Sequence, residues 1–120
     1  MAAEAIHRIG RTTAPEIWYV EGLATGLSTW YAIKCLGREN LSQVIVCYSD
    51  GNLVKIASKI GKGIVIADHD KSEAGEKAAK KSRIPYWMSH KLGDANDYHL
   101  EYGIERLASE MRAKLIETSI

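Results

Sequence analysis

The chain has 120 residues, 46% of them apolar and 26% charged, with a formal net charge of +1. That is enough for one domain with a real core and too little for two, and the composition is ordinary for a globular protein. A near-neutral charge gives no overall electrostatic footprint for a polyanion, no apolar stretch approaches membrane-spanning length, and no signal-peptide pattern is present, so a cytoplasmic protein without a membrane partner is expected.

Residues Met1 to Pro15 lack a clear period and read as a loose helical turn and a linker, or as the cut end of something larger, with a single domain from residue 16 to 120. Ile17-Trp18-Tyr19-Val20 is a short run of strand formers that stops at Glu21-Gly22. Gly22 permits a sharp turn, and Leu23, Leu27, Trp30 and Tyr31 then recur at helical spacing up to Gly37. The pattern repeats with a strand over Val44 to Tyr48, a turn over Ser49 to Asn52, and a helix whose face carries Leu53, Ile56, Ala57 and Ile60 before a stop at Gly61.

Gly63-Ile64-Val65-Ile66-Ala67 is apolar without alternation, as in a strand covered by helices on both faces, and it ends abruptly in Asp68-His69-Asp70. A third helix is expected from about Ser72 to Ser82, with small residues Ala74, Gly75 and Ala78 against the sheet. Lys77, Lys80, Lys81 and Arg83 read as its solvated face. Ile84-Pro85-Tyr86-Trp87-Met88 is a peripheral strand, since proline is tolerated at strand starts and edges. After a loop over Ser89 to Asp94, one long helix is expected from Asn96 to Glu117, with Leu100, Ile104, Leu107, Ala108, Met111 and Leu115 on one face and Gly103 weakening its first turns. Cys35 and Cys47 have no metal-ligand spacing and read as reduced core thiols.

Strands alternating with helices imply an α/β fold with a parallel sheet. For Glu21 to meet Asp68 and Asp70, their strands must be neighbours, which gives four strands in the order 2-1-3-4 with the site at the switch point. Side chains at i and i+2 of extended backbone share a side, so Asp68 and Asp70 can converge on one hard cation, Mg²⁺ first. Each acid by itself suits a helix cap equally well. Three acids at matched strand ends would repel one another without a cation or shared protons, and together they favour a metal site.

Three segments carry a more specific resemblance: Tyr19-Val20-Glu21-Gly22-Leu23-Ala24-Thr25, Ile64-Val65-Ile66-Ala67-Asp68-His69-Asp70 followed by Ala74-Gly75, and Gly93-Asp94-Ala95-Asn96-Asp97-Tyr98. Together they resemble a Toprim domain, a Rossmann-like catalytic module shared by bacterial-type DNA primases, type IA and type II topoisomerases and some nucleases. The closing Gly-Asp-Ala-Asn-Asp-Tyr stretch is most similar to phage, plasmid and bacterial replicative primases. His69 departs from the small polar residue common at that position, and it is not read as a ligand.

The resemblance implies that Asp68 and Asp70 hold Mg²⁺ or Mn²⁺ and that Glu21 is the general acid/base or a further ligand. It implies nucleotidyl transfer for RNA primer synthesis, with single-stranded DNA template, nucleotides and the other primase or helicase domains of a longer protein as partners. A small Toprim nuclease, or a non-catalytic DNA-binding Toprim module, are the alternatives. Asp94 is expected as an outer-sphere acid, Asp97 as the N-cap of the last helix, and Lys91, in the loop ahead of Asp94, as a phosphate contact. His7, His90 and His99 read as ordinary surface or loop residues, and Trp18, Trp30 and Trp87 as packing residues. The lack of a Walker glycine loop, a G-x-S-x-G motif and a Cys/His zinc cluster removes a self-contained ATPase, a serine hydrolase and a zinc ribbon.

Overall fold

The β-branched and aromatic runs become strands, and four of them end along one edge of a sheet. The computed structural model describes residues 6–119. Its elements are β1 (His7–Gly10), β2 (Glu16–Val20), α1 (Leu23–Cys35), β3 (Ser42–Val46), α2 (Asp50–Ile60), β4 (Ile64–Ala67), α3 (Ala74–Ser82), β5 (Tyr86–Met88), α4 (Ala95–Tyr102) and α5 (Ile104–Thr118). The sheet order is β1-β3-β2-β4-β5, with β3, β2, β4 and β5 mutually parallel and β1 antiparallel to β3.

The expected four-stranded, all-parallel sheet is therefore corrected to a five-stranded mixed one. The added strand comes from the stretch read as linker. It shows no apolar alternation because it is a mostly exposed edge strand, His-Arg-Ile-Gly. It pairs with β3 from His7 to Gly10, and a buried amide ties it and the turn after it down: Gln43 accepts from Arg8 Nη1 at 2.7 Å and donates to the carbonyls of Thr12 and Ala14 at 3.1 and 2.9 Å. The helical turn expected at the very start falls on residues 1–5, outside the described residues.

Helices cover both faces. One face packs Trp18, Val20, Val44, Val46, Ile64 and Ile66 against Ala32 and Ile33 of α1 and Leu107, Ala108 and Met111 of α5. The other packs Ile17, Tyr19, Ile45 and Val65 against Leu53, Ile56 and Ala57 of α2 and Ala79 of α3. With β2 and β4 buried on both sides, their apolar runs need no alternation. No described helix is long and apolar enough to cross a membrane.

Three packing expectations are corrected. The buried face of α1 is Thr25, Gly26, Ser28, Thr29, Ala32 and Ile33, while Leu23, Leu27 and Tyr31 are exposed. The reason is close approach: a Cβ on Gly26 would stand 2.9 Å from Val46 Cγ2, so only small residues fit there. Cys35, at the end of α1, is exposed, and only Cys47 is a core thiol. The single long helix is in fact α4 and α5, broken at Gly103 with φ 93° and ψ 158°, backbone that glycine alone adopts readily. The break reorients the apolar stripe, leaving Leu100 exposed while Leu107 and Met111 are buried.

Candidate metal centre

β2 is central, and the chain leaves it for β3 on one side and reaches β4 on the other, so the carboxyl ends of β2 and β4 form a switch point. Glu21 follows β2 and Asp68 follows β4. Both are partly buried, and their carboxyl groups interact. Burial, the negative charges of Asp50 and Asp68, and hydrogen bonding with both push Glu21 up to about 7. Burial, with the charge of Asp94 and lesser contributions from Asp50 and Asp70, raises Asp68 to about 6, against the lowering effect of its hydrogen bond with Glu21.

The structure thus brings Glu21, Asp68, Asp70 and Asp94 to one edge, and it adds Asp50, which the sequence reading passed over as part of a turn. Asp50 lacks the strand-end position of Glu21 and Asp68: β3 ends at Val46, and Asp50 comes four residues later as the first residue of the next helix. Asp50 opens α2, whose N-cap Ser49 accepts from the Asn52 N–H at 3.0 Å.

The Asp68–Asp70 segment is held from two sides. The His69 N–H donates to the Gly93 carbonyl at 3.0 Å, and the Gly93 N–H returns a bond of 2.8 Å. His69 Nδ1 lies 2.8 Å from the Ser89 carbonyl, which can only accept, so this nitrogen carries the hydrogen. His69 is thus tied to the loop ahead of α4. Asp70 accepts from Ser72 Oγ at 3.3 Å. From behind, α3 approaches so closely that a Cβ at residue 75 would clash with the Asp68 carbonyl oxygen, and Gly75 stands there.

Asp94, not Asp97, is the helix N-cap. Its carboxylate accepts from the Asp97 N–H at 2.8 Å, while the Asp97 carboxylate accepts from the Asp94 N–H at 3.0 Å, a reciprocal capping box. The expected cap at Asp97 is displaced because the helix starts at Ala95. The Lys91 ammonium is engaged by Glu101 at 2.8 Å and lies 5.5 Å from the Tyr102 ring centre, so its partner is α4. A cleft of about 270 Å³ opens beside Asp68 and Asp70, with Lys71, Glu73, Glu76, Met88 and Leu92 on its walls. A larger cleft of about 710 Å³ lies around Glu16, at the opposite end of β2 from Glu21.

Among the described residues, no three or more His, Cys, Asp and Glu side chains are arranged to hold a metal ion by themselves. One atom nonetheless asks for a partner. Asp68 Oδ1 is buried and makes no hydrogen bond among the described residues. A carboxylate oxygen in that position fits a hard cation that keeps several waters and is held by one or two carboxylates, as Mg²⁺ is. No protein-family model, curated protein or solved structure matches the chain.

Proposed function

We propose that this chain is a Toprim-type module that performs divalent-metal-dependent nucleotidyl transfer, as part of a phage- or plasmid-type DNA primase acting in the cytoplasm. The observation that carries the reading is the convergence of Glu21 and Asp68 at the switch point, with Asp68 Oδ1 buried and unpartnered among the described residues. The three motif segments that resemble the Toprim module all supply this edge.

In this reading Asp68 and Asp70 would hold Mg²⁺ or Mn²⁺. The ion, when bound, supplies charge stabilisation at the reacting phosphate. Glu21 would take the proton of the attacking 3′ hydroxyl. Asp94, buttressed by Asp97, adds negative charge behind Asp68 and fixes the start of α4. Template, nucleotides and the remaining primase or helicase domains are the partners this chemistry requires.

The test is an assay with Mg²⁺ or Mn²⁺, ribonucleotides and single-stranded DNA, with the chain alone and fused to the template-binding domains of a phage primase. Primer synthesis that disappears in Glu21→Gln supports the reading. Strand cleavage by the chain alone, equally dependent on Glu21, would instead identify a Toprim nuclease.

A further inference from the structure

β3 ends at Val46, and the expected strand through Tyr48 is corrected: Tyr48 sits in the turn to α2 with φ 68°. This left-handed region costs an L residue roughly 1–2 kcal/mol, and a bulky aromatic is a marked outlier there. The turn leaves no freedom to avoid it. Tyr48 N–H donates to the Glu21 carbonyl at 2.7 Å, the Cys47 carbonyl accepts from Asn52 Nδ2 at 3.1 Å, and Ser49 caps α2.

A glycine would meet the same turn without the steric cost. The phenol gives the fold little in return, for it is 52% exposed and makes no side-chain hydrogen bond or aromatic contact among the described residues. Strain kept at the edge of a site is a reason to look for a role there.

We propose that Tyr48 is a stacking platform for a nucleobase of the strand that reaches the acids at the ends of β2 and β4. The proposal rests on the reading of that edge as a site acting on nucleic acid. Tyr48 follows the carboxyl end of β3, beside β2, and its backbone is one hydrogen bond from that of Glu21, so it belongs to the same sheet edge as the acids. The edge carries Glu21, Asp50, Asp68, Asp70 and Asp94, and the chain has a net charge of only +1, so Coulomb attraction does not hold a polyanion here. Stacking on an aromatic face supplies affinity that charge does not, and it accepts any base.

The experiment is fluorescence anisotropy of dye-labelled oligo-dT, and of a strand of equal length made of abasic residues, with Mg²⁺ at two salt concentrations. Tyr48→Phe should bind oligo-dT like the parent chain, whereas Tyr48→Ala and Tyr48→Gly should bind about 5- to 100-fold more weakly, by a factor that salt does not change. Tyr48→Gly removes the positive-φ cost, so its loss of binding is not loss of fold. Parent and Tyr48→Gly should bind the abasic strand equally. Tight binding of oligo-dT by Tyr48→Gly, equal affinity of the parent for both strands, or no binding of oligo-dT by the parent would each overturn the proposal. A metal titration that still depends on Asp68 would, in any of these cases, leave the reading of the acid site standing.

Discussion

Gly75 lies against the backbone of Asp68 so closely that a Cβ built on it would stand 2.3 Å from the Asp68 carbonyl oxygen and 3.1 Å from the Asp68 nitrogen. The first turn of α3 therefore sets the height at which Asp68 leaves the sheet. Helix propensity alone would make Gly75→Ala stabilising by up to about 1 kcal/mol. Overpacking against fixed backbone costs about 1–3 kcal/mol and wins, because neither the carbonyl nor the helix can yield cheaply. Gly75→Ala is expected to lower stability in urea denaturation and to weaken divalent-metal binding together. A stable variant with intact metal binding would show that α3 does not position the acid.

The acid pair makes stability depend on pH in an unusual direction. Glu21 rises from 4.5 to about 7 and Asp68 from 3.8 to about 6 on folding, so between those values the folded chain holds protons that the unfolded chain has released. Stability contributed by these groups is therefore greatest below about pH 4, declines as pH rises to about 7, and levels off above it. Asp50→Asn, which removes one source of repulsion on Glu21, is expected to raise stability at pH 8 without divalent ions by about 1 kcal/mol, a value discounted for the solvent exposure of these carboxylates. At pH 4 it should have little effect. Thermal melts of both chains across pH 4–8 measure this, and an equal effect at both ends would locate the action of Asp50 in the first turn of α2 instead.

Gly103 separates two accounts of the C-terminal region. If residues 96–117 formed one helix, Gly103→Ala would stabilise it by about 1 kcal/mol. With Gly103 at φ 93° and ψ 158°, the same change is expected to destabilise by about 1–3 kcal/mol, even though a Cβ there meets nothing within 4 Å. Chemical denaturation decides the sign.

These cases show why some of the molecule is legible in its sequence and some is not. The runs at Trp18, Val44 and Val65 are apolar on both faces and terminate in turn residues, so the parallel core strands follow from short-range pattern, while the count and order of the full five-stranded sheet do not. β1 is held by its pairing with β3 and by Gln43 and Arg8 across some thirty residues of chain, interactions without local signature. Gly103 was visible as a weak helix former, but its ψ is set by where α5 must lie to bury Leu107 and Met111. In α1 the exposed Leu23 and Leu27 follow from the closeness of Gly26 to Val46, which only the packed sheet defines. At the site, Glu21 and Asp68 were legible because strand-end acids stand out, whereas Asp50 looked like any turn aspartate before Gly51.

The most direct measurement is calorimetric titration of Mg²⁺ and Mn²⁺ into the chain at pH 8, beside Asp68→Asn and Asp70→Asn variants shown to be folded. The account predicts binding by the parent chain, with Mn²⁺ the tighter ion, and its loss in both variants. Unchanged binding in the variants, or no binding by the parent at millimolar ion, would contradict a metal centre at Asp68 and Asp70.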